Sequence, residues 1–470
     1  MEHMNVTAET LSSISVAALV TAMITNDKQK SAYTLVVGLG ITGLSVARYL
    51  IAAGENVVVT DSRENPPGLE TLRTAFPQTE IVLGEFDEAL FMGADKIIVS
   101  PGVSTHEGVL QHVIQQGVEV IGDIELFAQQ VNAPLLAITG SNGKSTVTSL
   151  LGEMAKASGV DARVGGNLGT PALDLLDDKA ELYVLELSSF QLENLHSLKP
   201  LAAVVLNVSP DHLDRYDSFE SYVKAKQHIY HNCQQVVVNR DDPQVNAMQT
   251  GHQQVIGFTL HEPANADYGL RSVDNEVWLC KGNERIIRQS EVKLTAQHNI
   301  ANVLAALAMA DAADFAMDAV LKTIRTFAGL AHRTQFVAER NHVSWVNDSK
   351  GTNVGATMAA IAGIEVENQL ILIAGGLAKD ADFSGLRSVV TDKVRSVVLL
   401  GKDAPKIEQA LQDVVPMWYA KDMFDAVGIA AELAHPGDTV LLSPACASFD
   451  MFNGYQQRGE VFVQAVEALS

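Results

Sequence analysis

The sequence predicts an α/β fold divided among three domains, and three observations carry that prediction. At 470 residues and 50.4 kDa the chain is too long for one hydrophobic core, because single cores stop growing at roughly 250–300 residues. Apolar strands alternate with amphipathic helices in three successive series, the pattern of largely parallel sheets covered by helices. Two of the series open with a strand that runs into a glycine-rich turn and then a helix, the place where such folds hold phosphates.

The first series starts at Tyr33 with the strand "YTLVVG", a turn, the helix "LSVARYLIAAG" and the strand "NVVVTD"; "KIIVSPG" and "VEVIGD" follow. A second begins at "APLLAITG" and continues through "ELYVLELSS", "AAVVLNVS" and "QQVVVNR". A third runs from "HVSWVND" through "NQLILIAGG", "VRSVVLLG" and "DTVLLSPA". With no low-complexity linker between them, boundaries are expected near Gly122 and Gly329, giving domains over 31–122, 123–329 and 330–470. Residues 1–30 read as an N-terminal extension: "LSSISVAALVTAMI" imitates a short signal core, but Glu2 and Glu9 precede it without Lys or Arg, the wrong charge for export.

Composition narrows the function classes. Hydrophobic residues make up 47% and charged residues 19%, and no apolar run reaches the ~18 residues that span a bilayer, so no membrane insertion is expected. A formal net charge of -23 argues against a nucleic-acid surface, which needs concentrated Lys and Arg. Cys233, Cys280 and Cys446 are three, odd in number and far apart, which fits a cytoplasmic protein without disulfides or a zinc site. Any anionic ligand must therefore be held by local cations and backbone amides.

The stretch from Thr139 to Thr146, "TGSNGKST", supplies both. Gly140 and Gly143 allow amides to point inward, Ser141 and Asn142 lie between them, Lys144 can reach outer phosphates, and Ser145 offers a hydroxyl to Mg²⁺. A common Walker loop would have glycine at position 138, where Ile138 stands, so the match is to a shorter G-x-x-G-K-S form. The competing reading is a glycine turn with a solvated lysine. Glu186 lies in the otherwise apolar "LYVLELSSF". Burying its carboxylate unpaired would cost several kcal/mol; either Mg²⁺ or a core Lys or Arg can compensate it.

In the first series, Gly38, Gly40 and Gly43 sit where a dinucleotide turn has them, and Asp61 follows about twenty residues on. NAD and a diphosphate sugar nucleotide both fit this geometry. The Lys144 loop is of no use to an NAD-dependent oxidoreductase, and no other segment reads as hydride chemistry. Arg63 offers a cation for the ligand, or is a surface residue.

Together with "GDIELF", "AITGSNGKSTVT", "GGNLG", "ELYVLELSSFQLE", "DHLDRY", "QHNIAN", "HRTQFV", "NDSKGTN" and "LLSPACASFDMF", these motifs resemble the Mur ligases of peptidoglycan synthesis, from about Tyr33 to the C-terminus. The resemblance implies a Rossmann-like N-terminal domain, a central P-loop ATPase with a mixed or parallel sheet, and a Rossmann-like C-terminal domain for the incoming amino acid. It implies that Gly40, Ile41, Thr42, Asp61, Ser62, Arg63, Ser100 and Asn167 contact a UDP substrate, so uridine diphosphate replaces NAD.

Its implied chemistry is the addition of D-glutamate to UDP-N-acetylmuramoyl-L-alanine, with ATP and two Mg²⁺ ions and no macromolecular partner, by a cytoplasmic monomer. The substrate carboxylate attacks the γ-phosphate, and the D-glutamate amine displaces phosphate from the acyl phosphate. Lys144, Glu186, His212, Lys226, Arg333 and Lys350 are the implied catalytic set, and Ser145, Glu186, His212 and Lys226 the implied metal set. Lys226 corresponds to a lysine converted by CO₂ into a carbamate, which requires a neutral amine; by sequence alone it reads as a solvated helix lysine like Lys224. Asn299, Asn302 and Asp348 are implied nucleotide contacts, with helix capping the rival role for Asn299. Arg333 follows a hinge at Gly329 and Leu330. Thr352, Lys379, Ser448 and Tyr455 are implied to hold D-glutamate; Tyr455 stands where the family has phenylalanine, and Leu377-Ala378 where it often has an acid or glycine. Another Mur ligase, a folylpolyglutamate synthetase, an NAD-dependent oxidoreductase and a regulatory nucleotide-binding protein are the alternatives.

Overall fold

The computed structural model describes residues 32–212, 215–249, 251, 254–364 and 366–469; the extension at 1–30 lies outside them. Two compact units result, one ending at Leu126 and one starting at Phe127.

The first unit is built on five parallel strands, β1 (Thr34–Val37), β2 (Val57–Asp61), β3 (Glu80–Leu83), β4 (Lys96–Val99) and β5 (Glu119–Gly122), in the order β3-β2-β1-β4-β5. β1 and β2 are buried along their whole length, as expected of parallel strands. Strand order reverses between β1 and β4, which opens a crevice at their C-terminal ends. Gly38 leaves β1 at φ +90°, and a side chain on Gly43 would run into the Gly38 carbonyl. Only glycines there let helix Ile41–Ala52 start so close to the sheet.

The second unit holds two sheets. The first contains β6 (Leu135–Thr139), β7 (Ala162–Gly166), β8 (Leu182–Glu186), β9 (Ala202–Val205), β10 (Gln235–Asn239), β11 (Val255–Phe258), β12 (Tyr268–Val273), β13 (Glu276–Lys281) and β14 (Glu284–Arg288). Their order is β14-β13-β12-β11-β10-β9-β6-β8-β7, parallel except for the antiparallel β12-β13-β14 hairpins. Helix Gln297–Ala312 packs between β9–β12 and helix Lys144–Ala157. Val303 to Ala310 are buried on every side, which explains its nearly uniform apolar sequence.

The third sheet has β15 (Gln335–Arg340), β16 (Val343–Asn347), β17 (Leu370–Ala374), β18 (Val394–Leu399), β19 (Met417–Tyr419) and β20 (Thr439–Leu442), in the order β15-β16-β20-β17-β18-β19. All pairs are parallel except β15 with β16. Strands absent from the sequence reading are those with wet faces or glycines. β12 and β13 are only partly buried and carry polar residues, β15 is largely exposed, and β7 is "ARVGG". Among the described residues no helix is long and apolar enough to cross a membrane.

Candidate functional site

β6 delivers the phosphate-type loop. Gly140 and Gly143 adopt φ +151° and +86°, and a side chain on Gly143 would collide with Asn302. The Asn142 amide donates to Asn207 Oδ1 at 2.8 Å, and Asn207 Nδ2 returns a bond to the Asn142 carbonyl at 3.0 Å. Ser141 Oγ donates to the Ser209 carbonyl at 2.9 Å. The loop is thus braced from the segment after β9.

Two ammonium groups converge on one carbonyl: Lys144 Nζ donates to Gly140 O at 2.8 Å, and Lys226 Nζ to the same oxygen at 2.9 Å. Lys224 on the same helix, Phe219–Gln227, is exposed, whereas Lys226 is only 1% exposed. Burial, reinforced by the Lys144 charge, holds the Lys226 amine well below its ordinary value; burial also lowers Lys144. Two amines converging on one oxygen mark a place suited to anions.

The pairing of Ile138 with Glu186 sets the β8 carboxylate beside the loop. Glu186 is 3% exposed; its Oε1 accepts from Asn167 Nδ2 at 2.7 Å, and its Oε2 has no hydrogen-bond partner among the described residues. A buried, orphaned carboxylate oxygen on a residue that lines one cavity with Ser145 fits a hard cation. Among the described residues no three His, Cys, Asp or Glu side chains gather into a metal cage. Mg²⁺ at a nucleotide does not require one, because phosphate oxygens and water complete its shell. His212, at φ +55°, packs its ring edge-on against Phe190 at 4.8 Å.

Two cavities meet here. One, of about 360 Å³, is lined by Thr146, His298, Asn299, Asn302 and Asp348, among others. The other, of about 240 Å³, is lined by Lys144, Ser145, Asn167, Glu186, His212, Lys226 and Thr352, among others. Asn142, Gly143, Arg333 and Lys350 line both. Arg333 Nη2 donates to Ser145 Oγ at 2.5 Å, so the third sheet's segment already touches the phosphate loop. The Lys350 ammonium lies 4.0 Å above the Tyr455 ring; burial, then Arg333 and Lys144, push its amine down to about 7. Asn299 is the third residue of its helix, whose N-cap is Ala296, so capping is not its role. It accepts from Asn302 Nδ2 at 3.3 Å.

Asp348 accepts from Ser443 Oγ at 2.7 Å and the Thr334 amide at 3.1 Å, and burial pushes its carboxyl up to about 6. The ionised form is penalised in the folded state. That penalty is present above pH ~6 and relieved as the pH falls and the carboxyl protonates. Asp348→Asn is therefore expected to raise Tm by about 2–4 °C at pH 8 and by less at pH 5, measured by thermal unfolding; equal shifts at both pH values would refute this.

Leu377 and Ala447 exchange backbone hydrogen bonds, tying together the loops of Lys379 and Ser448. Lys379 Nζ lies 3.6 Å from Asp211 Oδ1. Thr352 lines the smaller cavity, while Lys379 and Ser448 line neither. Sequence reasoning missed Asp211, Asn353 and Arg458. Asp211 neighbours His212, and Asn353 opens a helix, Val354–Gly363, so both carried a faint signal. Arg458 carried none: an arginine on an amphipathic helix reads as solvated, yet it is buried and donates to the carbonyls of Ser349 at 2.8 Å and Cys446 at 3.1 Å.

In the first unit, Asp61 receives the Leu39 amide at 2.6 Å and Arg63 Nε and Nη2 at 2.8 Å each. Burial raises the Asp61 carboxyl, but those bonds outweigh it and leave it below its ordinary value. Both carboxylate oxygens are thus occupied in bracing the turn and aiming Arg63. Ser100 Oγ donates to the Gly38 carbonyl at 2.9 Å, Ser62 is exposed, and Ile41, between Gly40 and Thr42, is 72% exposed.

Three family models match the chain: Mur ligase MurD-like, N-terminal domain, over 32–122; Mur ligase middle domain over 138–310; and Mur ligase, glutamate ligase domain, over 332–446. A UDP-N-acetylmuramoylalanine--D-glutamate ligase of Nitrosococcus oceani is 48% identical over 442 residues, covering 94% of this chain and 98% of the relative. The proteins of the same name from Marinobacter nauticus and Pseudomonas syringae pv. tomato are 49% and 50% identical, each covering 93% of this chain and 98% of the relative. Among solved structures, the UDP-N-acetylmuramate-alanine ligase MurC of Thermotoga maritima aligns at TM-score 0.59 and 17% identity, over 93% of this chain and 99% of that one. MurF of Acinetobacter baumannii aligns at 0.57 and 15%, over 93% and 92%.

Proposed function

The chain belongs to the Mur ligase family, and from that premise we propose the reaction its residues are arranged to perform. The protein is an ATP-dependent ligase that adds D-glutamate to UDP-N-acetylmuramoyl-L-alanine in peptidoglycan synthesis. The dinucleotide-oxidoreductase reading of the Gly38 turn is thereby set aside.

A carboxylate is a poor electrophile, since oxide would have to leave. The L-alanyl carboxylate therefore attacks the γ-phosphate of ATP, ADP leaves, and the resulting acyl phosphate is displaced by the D-glutamate amine with release of phosphate. The observation that carries this reading is the common wall of the two cavities, Asn142, Gly143, Arg333 and Lys350. Nucleotide in the larger cavity would present its terminal phosphate at that wall, with the carboxylate waiting in the smaller one. Lys144, Arg333 and Lys350 neutralise the charge that develops on the transferring phosphate, and Arg333 on Ser145 closes the site against water.

Mg²⁺ would be held by Ser145 and Glu186, with a second ion near His212 and Lys226, and would polarise the phosphate oxygens. Lys226 is the carbamylated residue in this reading: its amine is neutral enough to add CO₂ and release a proton, and the product keeps an N–H for Gly140. Asn299, Asn302 and Asp348 hold the nucleoside; Thr352, Lys379, Ser448 and Tyr455 hold D-glutamate. The turn at Gly40, Ile41 and Thr42, with Asp61, Ser62, Arg63 and Ser100, holds the uridine diphosphate, and Asn167 orients Glu186. The domain limits expected from the sequence, a monomeric state and a cytoplasmic setting complete the proposal.

ADP release measured with both substrates, and with each omitted in turn, tests it. Turnover that needs neither D-glutamate nor the muramoyl nucleotide would overturn it. Asp61→Asn is expected to raise KM for the uridine-diphosphate substrate about tenfold with kcat nearly unchanged, because the charge that aims Arg63 is lost while Lys144, Arg333 and Lys350 at the transferring phosphate are untouched; an unchanged KM would remove Asp61 from that role.

A further inference from the structure

Asn353 makes three bonds that no capping residue needs together. Its Oδ1 accepts the Ala356 amide at 2.8 Å, capping helix Val354–Gly363. Because the oxygen is committed there, the amide orientation follows from the network and Nδ2 is the donor. That one nitrogen donates to Asn142 Oδ1 at 3.2 Å and to Asp211 Oδ2 at 3.1 Å. Asn142 sits at the tip of the phosphate loop, itself clamped by Asn207. Asp211 in turn faces Lys379 Nζ at 3.6 Å. Asn353 is 7% exposed, so these bonds face little competition from water.

We propose that Asn353 is a positioning residue that couples the nucleotide loop to the amino-acid site, through Asn142 on one side and the Asp211–Lys379 pair on the other. A nucleotide that orders the loop tip fixes Asn142 and hence the fork of Asn353. The fork sets Asp211, which places Lys379 for the carboxylates of the incoming amino acid. The two ligands then bind with reciprocal preference, as any coupling between sites requires. The inference rests on the ligase reading above and deepens it, since it names what links the two substrates.

Asn353→Ser and Asn353→Thr test it in the full-length protein, because both retain a capping oxygen and both lose the amide donor. Relative to the parent chain, KM for D-glutamate is expected to rise about ten- to hundredfold, with Tm within about 2 °C of the parent. ATP or a non-hydrolysable analogue is expected to tighten D-glutamate binding to the parent chain and to lose that effect in both variants. A drop in Tm with KM unchanged would reduce Asn353 to a helix cap and overturn the proposal, as would analogue-dependent D-glutamate binding that survives in the variants. Failure of the ligase reading would show separately, as a parent chain whose ADP release ignores D-glutamate.

Discussion

Lys226→Ala is expected to be folded and nearly inactive, with kcat lower by about 10²–10³-fold or more, and Lys226→Arg is expected to restore nothing. The lysine is 1% exposed, shares the Gly140 carbonyl with Lys144 and lies 4.6 Å over the Tyr222 ring. Two cations on one acceptor are an unfavourable resting arrangement unless one of them is neutral, and burial already disfavours the charged form. In the proposed carbamylation the neutral amine would form a C–N bond with CO₂ and release a proton, leaving an anion where that reading places a second Mg²⁺. Arginine has no neutral form at accessible pH and cannot follow that route. In the alanine variant, formate, acetate or chloride should partly restore ADP release by filling the vacated anion position. A carbamate carbon signal from ¹³CO₂-treated protein, absent in the variant, is the direct readout. Full activity in Lys226→Ala would discard the carbamate and the role of this residue together.

Glu186→Gln separates function from stability. The substitution keeps the shape and an oxygen for Asn167 Nδ2, but removes the charge whose Oε2 has no hydrogen-bond partner among the described residues. Replacing a buried, half-satisfied carboxylate by a neutral amide is expected to leave Tm unchanged or higher. Activity is expected to fall about 10²–10³-fold, with the Mg²⁺ concentration for half-maximal rate shifted upward, because the hard cation proposed at Glu186 would lose a charged ligand. Thermal unfolding and an Mg²⁺ titration of ADP release measure the two halves. Parent-like activity at ordinary Mg²⁺ would show that Glu186 serves only to balance Lys144 and Lys226.

Asp348→Asn belongs to the same class of residue. Burial raises its carboxyl to about 6 while Ser443 and the Thr334 amide hold it in place. Both acids are costly to fold around, and both line cavities assigned to anionic ligands and their counter-ions. Instability retained at such positions is the expected signature of a site.

Chemistry confined to a few consecutive residues was legible in the sequence alone. The phosphate loop is one example: Gly140 to Ser145 follow a strand and begin a helix, so amides, dipole, ammonium and hydroxyl are set by local geometry whatever the rest of the chain does. The Gly38 turn with Asp61 is another, although the structure shows Asp61 spending both oxygens on Leu39 and Arg63. Tertiary structure alone decided what depends on distant partners. Lys226 reaches Gly140 across 86 positions, Asn353 reaches Asn142 across 211, and Arg333 reaches Ser145 across 188. Whether an amine is buried and short of its proton, or an asparagine is a cap or a fork, is set by neighbours that no local pattern specifies. Periodicity encodes which face of an element is apolar; the fold determines what that face meets.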